Sequence, residues 1–316
     1  MVAKVIVCAA NFSEGRDASK VEEIAAAVRT AGAIVLDVHM DADHNRSVIT
    51  FLGGPSRMLD GAFQAVQRSV ELLDLTGRGG VHPRIGVADV VPFVPYLGVT
   101  EEECAKAARS LARRIAEELT LPTYLYGWAA SRDDRRNLAD VRAYHGRTVA
   151  AGEDIQPDFG PSQPHPTAGA VAVGARAPLI AFNCVLDRPE LEAAKRIAAR
   201  VRESGGGLPG VRALGFLLES KGLAQVAMNI TDLKAVSLVE VVERVQELAK
   251  AEGAEVARSE LVGLIPMGVA LNAAARALLL PSLRSAEVLE QSAVHAIASA
   301  EFQLEWDDEA TEEGAE

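Results

Sequence analysis

A glycine-rich loop around one histidine is the sharpest local feature of this sequence. Residues 77–86 read GRGGVHPRIG, so His82 is followed by Pro83 and lies between Arg78 and Arg84. Glycines allow a backbone to approach a ligand closely, and two nearby guanidinium groups would lower the pKa of the histidine. A neutral imidazole near pH 7 is suited to act as a base. Loops carry function more often than other segments do, but a surface loop with an incidental histidine explains these residues equally well.

A second cluster of possible ligands runs from Asp37 to Arg46 and reads DVHMDADHNR. Two histidines and three aspartates within ten residues suggest a metal-dependent hydrolase, although the spacing fits no HExxH zinc motif and no glycine-bearing calcium loop. A loop in which Arg46 pairs with a ligand carboxylate through two nitrogens explains the residues better, and a plain polar turn comes second. In the metal alternative the ligands would be His39, Asp41, Asp43 and His44.

A proline-rich stretch from Gly160 to Gly169 carries no strong signal of its own and is typical of a linker. Arg176, shortly after it, could add a contact to an anion. The sequence has no P-loop and no GxSxG, so neither an NTP site nor a serine-hydrolase site is indicated.

Composition limits the partners and the compartment. The chain of 316 residues has a formal net charge of -12, and its last twelve residues hold seven acids and no base. An acidic body argues against nucleic acid as a partner, and no apolar stretch is long enough to span a membrane. The three cysteines, Cys8, Cys104 and Cys184, are far apart, which predicts free buried thiols in a reducing compartment. A cytoplasmic location without a signal peptide follows as the expectation.

The elements that must position these residues alternate between strands and helices. The patterns predict an α/β (α+β) fold with mixed sheets, because strand pairs such as 33–38 with 47–52 and 213–218 with 224–229 resemble hairpins. Residues 130–177 show little periodicity and are predicted to be mostly irregular. We expect one subdomain at 1–177, a second at 178–304 and a disordered acidic tail at 305–316.

Several short stretches along the chain form an ordered set. They are NFSEGR at 11–16, NRSV at 45–48, GVHPRIGVADV at 80–90, PTYLYG at 122–127, PDFGPS at 157–162, GAR at 174–176, LIAFN at 179–183 and LVGLIP at 261–266. Each stretch alone is weak, but the ordered set spans nearly the whole chain up to about residue 275. Taken together, these stretches resemble the glutamate formimidoyltransferase family, including the transferase half of formimidoyltransferase-cyclodeaminase.

The resemblance implies a fold and a site. In the family, two subdomains, each a mixed sheet with helices on its outer face, enclose a folate-binding groove, and the protein is a homodimer. The catalytic residue falls on His82, with Asp41 or Asp89 as possible orienting carboxylates. The folate-contacting loop falls on Gly160, Pro161, Ser162, Gln163, Pro164, His165, Pro166, Thr167, Ala168 and Gly169. Further candidates for binding the substrates are Asn11, Asn45, Arg46, Arg84 and Arg176.

The sequence also departs from the family at two places. Vertebrate-like members have Gly-Pro-Ser-Thr where this chain has Asp41-Ala42-Asp43-His44. In the folate loop, Gln163, Pro164 and His165 replace bulkier apolar residues, and Ala168 stands where a tryptophan can occur.

The implied activity is transfer of the formimidoyl group of N-formimidoyl-L-glutamate to N5 of tetrahydrofolate, with His82 as general acid and base. Tetrahydrofolate would be a co-substrate, and neither a metal nor a nucleotide would be needed. The cyclodeaminase activity is expected to be absent. Two alternatives stay open: formyl transfer between glutamate and 5-formyltetrahydrofolate, and a folate-binding protein without catalytic activity.

Overall fold

The computed structural model describes residues 3–76 and 83–298. His82 and the predicted acidic tail at 305–316 therefore lie outside the described residues. Within them the chain forms two compact units. The larger unit contains the residues up to Val236 together with Glu240–Leu264, and the smaller contains Ser237–Val239 and the residues from Ile265 onward.

A six-stranded mixed sheet forms the first half of the larger unit, in the order β2-β3-β1-β4-β6-β5. The strands β2, β3, β1 and β4 pair antiparallel, whereas β4, β6 and β5 run parallel. Their bounds are β1 Val5–Phe12, β2 Ile34–Asp41, β3 Arg46–Gly53, β4 Ala88–Leu97, β5 Thr123–Gly127 and β6 Val171–Ala175.

Three helices cover one face of this sheet: α1 (Ala18–Thr30), α2 (Pro55–Leu72) and α3 (Glu101–Leu119). Each begins at a residue suited to a helix start. Asp17 accepts hydrogen bonds from two backbone N–H groups of α1, Pro55 opens α2, and Thr100 forms a capping box with Glu103 at the start of α3. Their apolar faces bury the alternate residues of β1, such as Cys8 and Phe12, in one aliphatic core.

The opposite face of the six-stranded sheet, which we call the site face, carries a different set of side chains. Helix α4 (Leu138–Ala150) covers part of it and packs Val141 with Tyr124 and Tyr126 of β5 and Val90 of β4. This helix also buries His145, whose Nδ1 lies 3.2 Å from the hydroxyl of Tyr124. The site face is therefore more polar than the face beneath α1, α2 and α3.

A four-stranded antiparallel sheet completes the larger unit, in the order β10-β7-β9-β8. Its strands are β7 Ile180–Leu186, β8 Val211–Leu218, β9 Leu223–Ile230 and β10 Val256–Val262. Helix α5 (Leu191–Val201) packs on β8 and β9, and α6 (Leu238–Ala251) joins β9 to β10. The smaller unit contains α7 (Met267–Ala277) and α8 (Leu289–Ala298).

The α/β fold with two sheets is confirmed, and so are the two hairpin-like strand pairs, which are β2 with β3 and β8 with β9. The expectation that both sheets are mixed holds only for the six-stranded sheet, because all strands of the second sheet pair antiparallel. The prediction that 130–177 is mostly irregular is wrong, because α4 and β6 lie inside it. Helix α4 was not predicted because its buried positions are Val141, His145 and Thr148, which give little hydrophobic periodicity.

The three cysteines are free and buried, as predicted. Burial raises the pKa of each thiol, to about 11 for Cys104 and for Cys184. None of the three is therefore suited to act as a nucleophile near neutral pH. In the part of the chain that the structure describes, no helix has the length and apolar character needed to cross a membrane.

A buried ion pair fixes the chain just before the predicted folate loop. Arg135 donates to the Asp158 carboxylate across 2.9 Å, and the two side chains are 3% and 5% exposed. The same carboxylate accepts a hydrogen bond from the backbone of Leu125, and the guanidinium lies over the rings of Tyr124 and Tyr144. This network ties the PDFGPS stretch to β5 and α4.

We expect Arg135→Ala to lower the free energy of unfolding by about 3–5 kcal/mol, because it leaves the Asp158 charge buried without a partner. Urea denaturation measures the change. Arg132→Ala is the matched control, since Arg132 forms an exposed pair with Asp134, and we expect it to change stability by less than about 1 kcal/mol. Equal effects of the two substitutions would show that the buried pair does not stabilise this region.

Candidate active site

A β-bulge places the most buried carboxylate of the site. Along the pairing of β1 with β4, Asn11 faces Val90 and Phe12 faces Ala88, so Asp89 is an extra residue on β4. Such a bulge re-aims the side chain of the extra residue. Asp89 is 2% exposed.

The two oxygens of Asp89 both accept hydrogen bonds. Oδ1 accepts from the backbone N–H of Ile85 across 2.9 Å, and Oδ2 accepts from Nη2 of Arg142 on α4. The bond to Ile85 holds the chain three residues beyond His82. Asp89 therefore holds the C-terminal end of the predicted catalytic loop. The positive charge of Arg142 offsets the negative charge of Asp89.

Arg46, the first residue of β3, lies close to this pair. Burial lowers the pKa of Arg46 to about 10, the charge of Asp89 opposes that effect, and the charges of Arg142 and Arg84 add to it. The guanidinium still carries its charge at neutral pH, and its Nη2 donates to Oδ1 of Asn11. Arg46, Arg84 and Arg142 thus lie near one another and near Asp89, and guanidinium groups are suited to bind an anion.

Arg84 holds the turn between β2 and β3. Its Nη2 donates to the carbonyl of His44 across 3.1 Å, and its Nη1 donates to the carbonyl of Asn45 across 3.4 Å. In the same turn, Oδ1 of Asp41 accepts from the backbone N–H of His44 across 2.8 Å. Asp41 is therefore a turn-forming residue in this structure.

Asn45 joins this turn to the segment after β1. It has a φ of 44°, in the left-handed region that asparagine tolerates, and its Oδ1 accepts from the N–H of Gly15 across 3.0 Å. A Cβ on Gly15 would lie 2.1 Å from the carbonyl oxygen of Asp41, so only glycine fits there. The NFSEGR and NRSV stretches therefore form one structural unit.

A pocket opens where these elements meet. Two cationic side chains and one carboxylate line it, beside an imidazole and a hydroxyl. The lining residues are Ser13, His44, Arg46, Pro83, Arg84 and Asp89. Arg46, Arg84 and Asp89, three of the residues chosen from the sequence, line this pocket together, and Asn11 and Asn45 each accept a hydrogen bond from one of its arginines.

The predicted folate loop contacts the chain on both sides of segment 77–82. On the incoming side, the carbonyl of Thr167 accepts from the N–H of Leu75 across 2.7 Å. After segment 77–82, the carbonyl of Ala168 accepts from the N–H of Val87 across 3.0 Å, and the N–H of Ala170 donates to the carbonyl of Ile85 across 2.9 Å. The structure therefore brings the flanks of the histidine loop to the end of the proline-rich loop.

The proline-rich loop is itself well ordered by internal bonds. His165 and Gly169 exchange backbone hydrogen bonds of 2.8 and 2.9 Å, and Nδ1 of His165 accepts from the N–H of Ala168 across 3.1 Å. Gly160 and Gly169 both have positive φ, at 91° and 72°. Ala168 is fully buried, so it is part of the loop's own packing. The interpretation of this stretch as a linker is wrong.

Arg176 lies apart from the pocket-lining arginines, just after β6. Its backbone N–H donates to the carbonyl of Phe93 across 3.1 Å, and its charge opposes the rise in the pKa of Tyr126 that burial causes. Gly174 makes room for that tyrosine, because a Cβ there would lie 2.5 Å from the ring. Arg176 and Tyr126 thus form a second polar group on the site face.

Four residues of the site were missed from the sequence. Ser13 and Tyr126 lie within stretches that carry the family resemblance, and His44 was considered only as a metal ligand. Arg142 lies on a helix that the sequence did not reveal, and no local signal points to it. Only the fold brings Arg142 to Asp89.

The histidines and aspartates of residues 37–46, considered above as metal ligands, do not form a common binding site. Asp43 accepts from the backbone and hydroxyl of Ser220, at 2.9 and 2.7 Å, and His44 is held by Gln225. Across residues 3–76 and 83–298, no three His, Cys, Asp or Glu side chains are grouped so that they could hold a metal ion.

Comparison with known families agrees with this arrangement. The family model described as "Formiminotransferase domain, N-terminal subdomain" matches residues 5–176, and the one described as "Formiminotransferase domain" matches residues 181–299. The chain belongs to the formiminotransferase family. The first match contains the six-stranded sheet, and the second begins at the second residue of β7 and covers the rest of the four-stranded sheet.

Curated relatives support the same assignment. A glutamate formimidoyltransferase of Streptococcus pyogenes serotype M1 is 40% identical over 277 residues, which are 86% of this chain and 93% of that protein. A glutamate formimidoyltransferase of Thermoplasma acidophilum is 39% identical and covers 91% of this chain and 96% of its own length. The formimidoyltransferase-cyclodeaminase of Mus musculus is 40% identical over 87% of this chain, which spans about half (52%) of that protein. This formiminotransferase family member is therefore an enzyme of the transferase class, as predicted.

Proposed function

We propose that this protein transfers the formimidoyl group of N-formimidoyl-L-glutamate to N5 of tetrahydrofolate, giving 5-formimidoyltetrahydrofolate and glutamate. Family membership supports the reaction class. The main structural support for the proposal is the pocket, where Arg46 and Arg84 lie next to the ion pair of Asp89 and Arg142.

The charge of the pocket suits these substrates. Formimidoyl-glutamate carries two carboxylates, and the glutamate tail of tetrahydrofolate carries at least two more. Guanidinium groups bind carboxylates through two parallel hydrogen bonds, and both Arg46 and Arg84 line the pocket. Arg46 and Arg84 are our candidates for the carboxylates at the reacting end, and Arg176 for a more distant one.

His82 supplies the proton transfers in this proposal. A C–N bond to N5 of the folate forms and the C–N bond to glutamate breaks, so N5 must lose a proton and the glutamate nitrogen must gain one. One imidazole can do both, which contributes on the order of 10²–10⁴-fold. Pro83, the residue that follows His82 in the sequence, lines the pocket, which supports this role.

Neighbouring elements support the roles proposed for the two loops. The loop of residues 160–169 is our candidate for folate contact, because it bonds to the chain at Leu75 and Val87, on either side of the histidine segment. Asp89 is our candidate for orienting His82, acting through its bond to the backbone of Ile85. Asp41 stays a weaker candidate, since its carboxylate caps the β2–β3 turn. The homodimer, the cytoplasmic location and the boundary at 177 stay predictions.

Steady-state turnover with formimidoyl-glutamate and tetrahydrofolate tests the proposal. We expect Arg84→Ala to raise the KM of the donor by about tenfold or more, since a charge-assisted hydrogen bond contributes about 1.5–3 kcal/mol. Arg57→Ala, which removes an exposed arginine of α2, serves as the control and should leave KM unchanged. A wild-type protein that turns over no donor would refute the proposed function, and an unchanged KM in Arg84→Ala would remove that residue from the binding set.

A further inference from the structure

The four-stranded sheet turns one face toward the pocket described above. In an antiparallel sheet, residues directly opposite each other project to the same face. Phe216 of β8 lies opposite Gln225 of β9, and both contact His44, which lines the pocket. On the other face, a Cβ on Gly215 would lie 2.5 Å from the backbone nitrogen of Lys195 on α5. The face of Phe216 and Gln225 therefore points toward the pocket, and we call it the inner face.

The next row of side chains on the inner face crosses all four strands. Successive residues on one face of a strand are about 7 Å apart, so this row lies about 7 Å from the row that meets His44. A hydrogen bond of 2.9 Å from Nε2 of Gln225 to Glu260 joins the two rows. In the order β8, β9, β7 and β10, the row consists of Leu214, Ala227, Asn183 and Glu260.

The inner face is open beside Leu214. At the start of β8, Nη2 of Arg212 donates to Oδ1 of Asn137, just before α4, across 2.7 Å. After the end of β8, Ser220 bonds to Asp43 in the β2–β3 turn. Leu214 lies between these two bridges and is 45% exposed. The bridges therefore leave a groove along the inner face, with an apolar side chain in its wall.

Asn183 brings an amide without a partner to this face. The residue is 7% exposed, and within residues 3–76 and 83–298 its side chain makes no hydrogen bond. The fully enclosed side-chain atoms that lack a partner belong to other described residues, so the amide lies in the small part of Asn183 that is still exposed. Buried polar side chains are nearly always hydrogen-bonded. This amide is therefore suited to bind a ligand in the groove.

A ring edge that places N–H beside C=O is complementary to a carboxamide. The amide oxygen of Asn183 accepts and its amide nitrogen donates, so it can form two parallel hydrogen bonds to such an edge. The pterin ring of tetrahydrofolate has this edge, formed by N3–H and C4=O. The apolar side chains of Leu214 and Ala227, in the same row, are suited to pack against a flat ring.

Glu260, opposite Asn183 on β10, adds a negative charge to this end of the row. Burial acts to raise the pKa of Glu260, but the hydrogen bond from Arg258 and the charge of Lys221 outweigh it, so the pKa is lowered. An ionised carboxylate only accepts hydrogen bonds. The surroundings of Asn183 therefore favour the donating side of the pterin ring, which carries N3–H and the 2-amino group.

We propose that Asn183 binds the N3–H and C4=O edge of the pterin ring and makes this protein selective for 4-oxo folates. This inference rests on the proposed function and deepens it, because it gives the last residue of the LIAFN stretch a role in holding the co-substrate. Asn183 is a binding residue here and takes no part in the proton transfers.

Replacement of Asn183 by alanine tests this contact in the absence of any donor substrate. We expect Asn183→Ala to raise the Kd of tetrahydrofolate by about tenfold, because two hydrogen bonds are lost. The KM of formimidoyl-glutamate should stay within about twofold of wild type, and the urea midpoint should not move, because within the described residues the side chain has no hydrogen bond to lose. Asn272→Ala, which removes an exposed amide on α7, is the matched control and should leave the Kd unchanged.

Replacement of Asn183 by aspartate tests the selectivity. Both side-chain oxygens of an aspartate accept, so C4=O of tetrahydrofolate would meet no donor, whereas an amino group at C4 would donate to the carboxylate. The ratio of the Kd of tetrahydrofolate to the Kd of its 4-amino-4-deoxy analogue should therefore rise by about tenfold or more over wild type. Calorimetric titration measures both constants.

An unchanged Kd in Asn183→Ala, or an unchanged ratio in Asn183→Asp, would overturn the inference and leave the proposed function standing. A lower urea midpoint in Asn183→Ala, with Kd and KM both raised, would show a structural role and would also overturn it. If Asn183→Asp does not fold, Asn183→Ala decides alone. A wild type that binds tetrahydrofolate through Asn183 but transfers no formimidoyl group would refute the proposed function alone, and one that does not bind tetrahydrofolate would refute both.

Discussion

His82→Ala reduces turnover by about a hundredfold or more and leaves the binding of tetrahydrofolate intact, if His82 carries the proton transfers. The loss appears in kcat, because the imidazole acts on the reacting atoms while the arginines of the pocket still bind the carboxylates. Stopped-time assays of product formation give kcat, and fluorescence or calorimetric titration gives the dissociation constant for folate.

The matched control for this substitution is His295→Ala. His295 lies on α8, in the smaller compact unit, and its replacement should leave turnover at the wild-type level. Near-normal turnover of His82→Ala would exclude His82 as the acid and base. An equal loss in both variants would point to a general effect of removing a histidine and would equally contradict the assignment.

Asp89→Ala is expected to lower the free energy of unfolding by about 3–5 kcal/mol, because it leaves buried cations without their counter-charge. The pKa of Arg46, already lowered to about 10, would fall further without Asp89. The backbone N–H of Ile85 would also lose its acceptor, so the exit of the histidine loop would loosen and turnover should fall as well. Urea denaturation and the turnover assay measure the two effects.

A double substitution separates lost charge balance from lost packing. In Asp89→Leu with Arg142→Met, both charges leave together, and the stability should recover most of the loss seen in Asp89→Ala. Asp133→Ala, which removes an exposed partner of Arg136, is the surface control and should shift stability by less than about 1 kcal/mol. A stable Asp89→Ala protein would contradict the view that Asp89 balances the arginine cluster.

Much of the fold follows from local patterns in the sequence. The capping box at Thr100 and Glu103 marks the start of α3, and alternating apolar residues mark β1, whose odd and even positions face different sides of the sheet. These signals are local, so one sequence is enough to read them. The strand pairs β2 with β3 and β8 with β9 were predictable for the same reason, because short connections favour antiparallel neighbours.

The sequence predicted less of the site, because the site depends on contacts between distant residues. Arg46 and Arg84 were chosen for their neighbours in sequence, and both line the pocket. Arg142 reaches Asp89 from 53 positions away, on a helix whose buried residues include a histidine and a threonine. The bond between His44 and Gln225 spans 181 positions. No periodicity or motif encodes such pairs, because they form only when distant parts of the chain fold together.

The measurement that tests the account most directly follows the one-carbon group itself. The protein is incubated with tetrahydrofolate and formimidoyl-glutamate labelled with ¹³C at the formimidoyl carbon, and NMR locates the label. We predict that the label appears on N5 of tetrahydrofolate while one unlabelled glutamate is released for each transfer. Label that stays on glutamate, or that appears in formamide or formate through attack by water, would contradict the account.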